Sequence, residues 1–163
     1  MKTLNSKHVD DVLELINASP YFQLLQMQIT EMGMGYARLE MTMSNRHCNP
    51  FGGIHGGVYA SLIDTTAYWA TYCEIDEDSG MTSMDVYANN LSSLQEGKIV
   101  VEGRSIKVGR SMCLAEAVVK TESGKILSHG TVKMMVLKGK QSVRNLAKTV
   151  EKDLAPKFLD ADL

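Results

Sequence analysis

Apolar and polar residues follow one another along this chain in patterns that predict helices at both ends, strands between them and one long apolar helix. Near the start, Val9, Val12 and Ile16 recur at helical spacing and predict a short amphipathic helix. Ser6 is placed to cap this helix, and Pro20 is placed to end it. A second amphipathic pattern predicts a late helix, packed on the outside of the fold or on a partner. Its apolar residues recur every three or four positions, at Val143, Leu146, Ala147, Val150 and Leu154.

Six extended segments are predicted between these helices. Residues 26–32 and 36–43 form the first two, and the second alternates strictly, with Ala37, Leu39 and Met41 on one face. The other four follow one another in sequence and are separated by turn-forming residues. They cover residues 81–91, 98–108, 111–121 and 126–137. We expect these four strands to form a meander in which each strand pairs antiparallel with the next.

The longest apolar run, residues 58–73, lies between the two sets of strands. Apolar residues occupy nearly every side of this run, which predicts a helix that the sheet encloses. A glycine-rich stretch, residues 49–57, leads into it. Asp64 is the only acid in the helix, and an ionised carboxylate in apolar surroundings is costly unless it is paired, hydrogen-bonded or solvated. The predicted fold is therefore α+β, with about six antiparallel strands around one long helix.

Composition and charge narrow the class of protein. A chain of 163 residues with 44% hydrophobic residues and three prolines is typical of one globular domain. The net charge of -2, without a basic stripe, disfavours nucleic-acid binding. Three widely spaced cysteines without a Cys-x-x-Cys pair indicate a reducing compartment. Because the first residues lack the apolar core of a signal peptide and no run reaches transmembrane length, we expect a cytoplasmic protein without a membrane partner.

Three spaced motifs carry a family resemblance. They are Asn49-x-x-Gly52-x-x-His55-Gly56-Gly57-x-x-x-x-Leu62-x-Asp64, Ser83-x-Asp85 and Lys107-Val108-Gly109-Arg110-Ser111. In order and spacing they resemble the hotdog-fold acyl-CoA thioesterases of the phenylacetate-pathway type, over roughly residues 21–138. The resemblance implies a curved antiparallel sheet wrapped around one long helix, and a homodimer or homotetramer with active sites between subunits. Residues 1–20 and 139–163 are then an N-terminal helical extension and a C-terminal helical tail.

The residue types also support thioester chemistry. Paired glycines at the start of a helix let a carbonyl approach bare backbone N–H groups, where the helix dipole favours developing negative charge. The resemblance implies hydrolysis of an acyl-CoA thioester to a free acid and coenzyme A, with the Gly56 amide polarising the carbonyl and Asp64 acting as nucleophile or general base. It also implies that Asn49 positions the thioester or the water and that Ser83 helps to hold the water. No cofactor is needed beyond the coenzyme A of the substrate, and a covalent anhydride at Asp64 and direct activation of water both remain open.

Each catalytic candidate also has a structural interpretation. His55 is either a catalytic residue or a residue that caps or orients the turn before the helix. Asn49 suits a turn before a proline, and Ser83 suits a polar position on a strand. Asp64 has a packing interpretation, in which it hydrogen-bonds polar neighbours on its own helix face. Those neighbours are Ser61, Thr65 and Tyr68.

Four residues are candidates for substrate binding, and one cluster is a candidate metal site. Gly57 suits both a substrate contact and a tight turn into the helix. The other three substrate-binding candidates are Gly109, Arg110 and Ser111. The first interpretation of these residues is a hairpin turn, and the second is a contact with the pantetheine or phosphates of coenzyme A. His47, Cys48 and His55 invite a metal interpretation. Because no second ligand pair occurs at zinc-site spacing, we predict no metal site.

Two rival functions remain. A hotdog dehydratase or hydratase uses a histidine in the loop well before the helical acid, where this chain has Asn49 and Pro50, and this difference favours the hydrolase. A non-catalytic acyl-CoA binding module is disfavoured by the presence of Gly56 and Asp64. These two residues lie about 12 Å apart along the helix axis at about 1.5 Å per residue. That separation predicts that Gly56 of one subunit works with Asp64 of another.

Overall fold

The computed structural model describes residues 2–160, and most of them belong to one antiparallel sheet and one long helix. The helices are α1 (Ser6–Asn17), α2 (Pro20–Leu25), α3 (Gly56–Tyr72) and α4 (Val143–Thr149), with a 3₁₀ turn at Asn45–His47. The strands are β1 (Lys2–Leu4), β2 (Met27–Gly33), β3 (Tyr36–Thr42), β4 (Ser79–Asn90), β5 (Lys98–Val108), β6 (Met112–Thr121), β7 (Ile126–Lys138) and β8 (Phe158–Asp160). The predicted α+β class, with six main strands and one long helix, is confirmed.

The strands of the large sheet lie in the order β2-β3-β5-β6-β7-β4. The predicted four-strand meander was wrong, because β4 pairs with β7 at the far edge of the sheet instead of with β5. The cause is α3, which packs across the sheet between β3 and β4 and delivers the chain to the opposite edge. Residues 95–97, whose turn-forming types predicted a hairpin between the strands at 81–91 and 98–108, belong instead to the connection that carries the chain back from β4 to β5, beside β3.

The sheet curls around α3, which contacts every strand from β2 to β7. Leu62, Ile63 and Ala67 on this helix have no solvent exposure. At one point the helix touches the strand backbone itself, because a Cβ atom added to Gly103 of β5 would lie only 2.7 Å from the Thr66 carbonyl oxygen. Burial of the side that faces the sheet explains why most of the run is apolar, since each buried Å² of apolar surface contributes about 25 cal/mol. The face that carries Asp64 and Thr65 is only half-buried.

The first helix begins one residue earlier than predicted. Asn5, and not Ser6, is the N-cap of α1, because the Asn5 side chain accepts a hydrogen bond from the Lys7 N–H at 3.1 Å. The Asn5 side-chain amide also donates to the carbonyl of Pro156 at 2.8 Å. The helix end therefore touches a segment more than a hundred residues away in sequence.

The C-terminal tail is less helical than its pattern predicts. Helix α4 ends at Thr149, and Leu154 lies beyond it in irregular structure. The chain then returns along α1 and forms β8, which pairs antiparallel with β1 in a small sheet that was not predicted. The division of the chain at residues 20 and 138 stays a prediction. Met1 and residues 161–163 of the two predicted additions lie outside the described residues.

Lys157 fastens the tail to the end of α3. Its side chain has no solvent exposure, and its ammonium donates hydrogen bonds to the carbonyls of Tyr72 and Ile75. The ammonium also lies 4.0 Å from the centre of the Tyr72 ring. Because carbonyls at a helix C-terminus lack partners within the helix, this buried cation caps α3. Burial lowers the pKa of Lys157 to about 8.

Within residues 2–160, no helix is both long enough and apolar enough to cross a membrane.

Candidate active site

Asp64 stands two turns into α3 and faces the edge strand β4. It is half-buried rather than enclosed, because the side chains of β4 beside it are mostly exposed. The Ser83 hydroxyl, on β4, donates a hydrogen bond to Asp64 Oδ1 at 2.5 Å. The two residues that the motif links across nineteen positions of sequence are therefore in direct contact.

Two of the three polar neighbours of Asp64 on α3 make hydrogen bonds to other groups. Ser61 donates to the Gly57 carbonyl at 2.9 Å. The Tyr68 hydroxyl accepts from the Met81 N–H at 3.4 Å, and burial raises the pKa of this phenol. Within the described part of the chain, Ser83 is the one hydrogen-bond partner of the Asp64 carboxylate. The packing interpretation of Asp64, in which its own helix satisfies it, therefore receives no support from these contacts.

An apolar cavity of about 260 Å³ opens beside Asp64. Its apolar side chains come from three helices: Phe22 from α2, Tyr68 and Trp69 from α3, and Val143 and Leu146 from α4. The sequence did not indicate that α2 and α4 reach this cavity. The amphipathic pattern of the tail was the available signal, and it left open what the tail packs against.

The N-terminus of α3 presents one backbone N–H without a partner. His55 is the N-cap, and its Nδ1 accepts a hydrogen bond from the Gly57 N–H at 2.8 Å. The Val58 N–H donates to the His55 carbonyl at 2.9 Å. No group in residues 2–160 accepts from the Gly56 N–H. The Gly56 amide is thus the free donor at this helix start, whereas the Gly57 amide is already engaged.

A second cavity, of about 370 Å³, lies against Gly56. Asn49, Tyr59 and Asn90 are among the residues that line it. The Tyr59 hydroxyl donates to the Ser92 carbonyl at 2.8 Å, and burial raises the pKa of this phenol to about 12. Tyr59 is therefore a neutral hydrogen-bonding wall of this cavity at physiological pH.

Asn49 has the structural role that its position before a proline suggested, and it also lies beside Gly56. Its Oδ1 accepts from the Phe51 N–H at 2.9 Å, and its Nδ2 donates to the Ile54 carbonyl at 3.4 Å. These bonds hold the glycine-rich loop in its turn. Asn49 shares the cavity of Gly56 and is absent from the cavity of Asp64.

The segment Gly109–Ser111 forms the hairpin between β5 and β6, as predicted. The Gly109 N–H donates to the Met112 carbonyl at 2.9 Å, and the Val136 N–H donates to the Ser111 carbonyl at 2.9 Å. Gly109 and Arg110 line a third cavity, of about 290 Å³, with neither Asp64 nor Gly56 in its wall. Within one chain, therefore, Asp64, Gly56 and Gly109 line three separate cavities.

The histidine and cysteine side chains near the loop do not converge on a metal position. His47 is fully buried, with Nε2 at 2.7 Å from the Leu25 carbonyl and Nδ1 accepting from the Ser44 N–H at 3.0 Å. Both ring nitrogens are therefore used by the backbone. The described residues contain no group of three or more His, Cys, Asp or Glu side chains that could hold a metal ion.

Comparisons with known proteins show the family and the fold of this chain. A family model described as the thioesterase superfamily matches residues 51–128. A provisionally named esterase from Archaeoglobus fulgidus is 30% identical over 114 residues, which cover 68% of this chain and 72% of that protein. Mouse acyl-coenzyme A thioesterase 13 is 24% identical over 129 residues, which cover 77% of this chain and 91% of that protein. A solved thioesterase structure from Haemophilus influenzae has a TM-score of 0.74 and 23% identity, covering 79% of this chain and 92% of that chain.

The matched segment contains the features that organise the site. It begins in the glycine-rich loop, includes Gly56, Asp64 and Ser83, and ends in β7. The solved thioesterase shares the antiparallel sheet around a central helix. The chain therefore belongs to the thioesterase superfamily, has the hotdog fold and is an enzyme with thioesterase activity.

Proposed function

We propose that this enzyme hydrolyses an acyl-CoA thioester to a free carboxylic acid and coenzyme A, with Asp64 as nucleophile or general base and the Gly56 amide as oxyanion donor. The observation that carries the proposal is that α3 holds a free N–H at its first residue and a half-buried carboxylate two turns later. The name of the mouse relative, an acyl-coenzyme A thioesterase, supports coenzyme A as the thiol of the substrate.

The chemistry follows from the two groups. A thioester carbonyl that accepts from the Gly56 N–H gains charge in the transition state, and the helix dipole stabilises that charge. The Asp64 carboxylate either attacks the carbonyl carbon, forming an anhydride that water then cleaves, or removes a proton from the attacking water. In both routes the C–S bond breaks and the coenzyme A thiolate leaves. The Ser83 hydroxyl donates to Oδ1 of Asp64 and so fixes the direction of the carboxylate. Neither route needs a metal or an organic cofactor.

The two groups belong to different subunits in this proposal. They lie in separate cavities of one chain, about 12 Å apart along α3. The edge strand β4 runs beside the helix so that Ser83 contacts Asp64 and Asn90 lies against Gly56. In such a dimer, β4 of one subunit pairs antiparallel with β4 of the second subunit, and the two-fold axis passes near Val86. Ser83 of one strand then lies opposite Asn90 of the other.

The exposed side of β4 supports such a pairing. It is a long edge strand that pairs only with β7 within the described chain, and its large apolar side chains include Tyr87 at 66% exposure and Met84 at 54%. Long apolar edges with unpaired backbone groups favour pairing with another chain. We therefore propose a homodimer, or a tetramer made of such dimers, as the active form.

A thiol-release assay on aromatic, short, medium and long acyl-CoAs tests the proposal. We expect turnover of at least one substrate and a loss of roughly two or more orders of magnitude in Asp64→Asn. Gly56→Pro removes the N–H while keeping a residue suited to the first helical position, and we expect a loss of about 10²–10³ in kcat. Gly56→Ala is the matched control, because it keeps the N–H and adds a Cβ that meets only the end of the Asn90 side chain.

Mixing the two inactive variants tests the shared site. In a mixed dimer of Asp64→Asn and Gly56→Pro subunits, one of the two sites combines an intact Asp64 with an intact Gly56. Random exchange of subunits in a symmetric dimer therefore restores about a quarter of wild-type activity. No recovery after verified subunit exchange would contradict the site between subunits. Absence of turnover with every substrate, or full activity in Asp64→Asn, would contradict the proposed function itself.

A further inference from the structure

The C-terminal tail is fixed to the body of the fold before and after α4. Before the helix, the tail backbone crosses directly over β4, where a Cβ atom added to Gly80 would lie 2.1 Å from the Gln141 carbonyl oxygen. After the helix, the buried Lys157 side chain holds the chain to the end of α3. A glycine at position 80 is therefore required by the tail and not by a turn. Helix α4 cannot move far without breaking one of these two attachments.

Helix α4 has its own contacts between these attachments. Its N-cap is the buried Ser142, which accepts from the Asn145 N–H at 3.2 Å. Arg144 pairs with Glu77 at 2.6 Å and with Asp78 at 3.1 Å, in the turn that follows α3. These contacts fix the rotation of the short helix about its axis. As a result, its apolar residues are held in one direction, toward the cavity beside Asp64.

The cavity beside Asp64 has one charged group and an apolar wall. Asp64 is the single ionisable carboxylate in its lining, and the wall opposite is built by Val143 and Leu146 of α4 with Phe22 of α2. Ser83 is absent from this lining and contacts the same carboxylate. The carboxylate therefore lies between a polar contact and an apolar recess. The recess, at about 260 Å³, is smaller than the roughly 300–1,000 Å³ typical of pockets for drug-sized ligands.

We propose that α4 forms the wall that limits the acyl group, so that the enzyme prefers a compact acyl group, an aromatic ring or a short chain, over a long straight chain. The proposal rests on the proposed function, since it assigns the acyl half of the substrate to the cavity next to Asp64. Leu146 is the principal determinant, because it is on the α4 wall and 43% of its surface is unburied and free to touch a ligand.

The test compares kcat/KM for phenylacetyl-CoA and dodecanoyl-CoA in wild type and in Leu146→Ala. We expect wild type to favour phenylacetyl-CoA, and the ratio of dodecanoyl to phenylacetyl kcat/KM to rise by about tenfold or more in the variant, because methylene-sized changes in an apolar pocket discriminate on that scale. Val150→Ala is the matched control. Its side chain is comparably exposed, at 52%, and lies outside the cavity lining, so the ratio should stay at the wild-type value.

Gly80→Ala gives a second, independent test from outside the cavity. The added methyl group displaces the tail backbone at Gln141, and we expect a shift of the ratio in the same direction as in Leu146→Ala. Thermal unfolding of the variant verifies that the body of the fold persists. If Gly80→Ala does not fold, Lys157→Met loosens the other attachment and serves the same purpose.

The outcomes separate the wall from the catalytic proposal. Turnover by wild type and its loss in Asp64→Asn support the catalytic assignment. If Leu146→Ala nevertheless keeps the wild-type ratio, the proposal that α4 limits the acyl group is overturned. An equal fall for both substrates also overturns it, because it indicates a structural role for Leu146. A change of oligomeric state in Leu146→Ala with an unchanged ratio would identify this face as a subunit contact instead. Absence of turnover in wild type overturns both proposals.

Discussion

The two ends of α3 differ in whether their terminal backbone groups have hydrogen-bond partners. At the N-terminus the His55 side chain satisfies the Gly57 N–H and the neighbouring Gly56 N–H stays free beside an open cavity. At the C-terminus the carbonyls of Tyr72 and Ile75 are both bonded to a fully buried ammonium. Every helix leaves such groups at both ends. This helix therefore has a buried cation at its C-terminal end and a free backbone donor at its N-terminal end.

The charges near the two ends of α3 also differ. The first turn of α3 contains no acidic side chain, so nothing within the helix neutralises the positive end of its dipole. The other end carries the cation of Lys157, which complements the negative end of the dipole. Of the two ends of α3, the Gly56 end is therefore the one where the helix dipole favours a negative charge on a bound group. The comparison predicts that changes at the C-terminal end act on stability and that changes at the N-terminal end act on activity.

Loss of the cation at the C-terminal end should give the largest effect on stability. In Lys157→Met the carbonyls of Tyr72 and Ile75 lose a charged donor while remaining buried, and we expect the free energy of unfolding to fall by about 2 kcal/mol. Urea denaturation followed by circular dichroism measures the change. The matched control is Lys152→Met, which removes a surface ion pair with Glu14 and should cost less than about 1 kcal/mol. Equal effects of the two substitutions would remove the distinction between a buried cap and a surface pair.

Loss of the cap at the N-terminal end should give a smaller effect on stability. His55→Ala removes the acceptor for the Gly57 N–H, and we expect a loss of about 1 kcal/mol in the free energy of unfolding. His55→Asn keeps a side-chain acceptor at the cap and should restore most of that stability. Its turnover distinguishes the two interpretations of His55. A cap predicts near wild-type kcat in the Asn variant, whereas a proton carrier predicts a fall of about 10²–10⁴ in kcat despite restored stability.

The smallest expected effect is a pH dependence from Lys157, whose neighbours are His8, Tyr72, Cys73 and Glu77. Its pKa is lowered to about 8 by burial, from an ordinary value of 10.5. Above pH 8 the folded state loses a proton that the unfolded chain retains, so the free energy of unfolding rises with pH between about 8 and 10.5. The Cys73 thiol acts in the opposite direction above pH 9, because burial raises its pKa to about 11.

A comparison with the Lys157→Met variant isolates this dependence. Between pH 8 and pH 9, the free energy of unfolding of wild type should gain at most about 1 kcal/mol relative to the variant. Urea denaturation at the two pH values measures the difference. If wild type gains no stability relative to the variant over this interval, the pKa of Lys157 is not lowered in the folded state.

Local patterns in the sequence predicted the elements well, because they depend on nearest neighbours. The all-round apolar run predicted α3, and the strict alternation around Leu39 predicted β3. The hairpin at Gly109 was predicted from its turn residues. The pairing of β4 was missed because turn chemistry does not encode which edge of the sheet a strand reaches after a helix crosses it. That outcome depends on packing between residues far apart in sequence.

The site was predicted only in part, because local patterns do not specify packing between residues far apart in sequence. The capping by His55 agrees with one of the two interpretations of that residue, whereas the direct contact between Asp64 and Ser83 was not predicted. The half-exposed position of Asp64 could not be derived from an apolar run, because it depends on the open edge at β4. The cavity wall from Leu146 was not predicted, since an amphipathic pattern specifies a face and not the surface that it covers. The catalytic roles of these residues stay proposals.

The buried lysine also bears on the order of folding. Its bonds to the carbonyls of Tyr72 and Ile75 join residues 85 and 82 positions apart, and the adjacent strand pair joins Lys2 to Asp160. Contacts of such long sequence separation carry a high cost of loop closure and tend to form after the local elements. A contact absent from the transition state affects mainly the rate of unfolding. We therefore expect the contacts of Lys157 to form late in folding, and their loss to raise mainly the rate of unfolding.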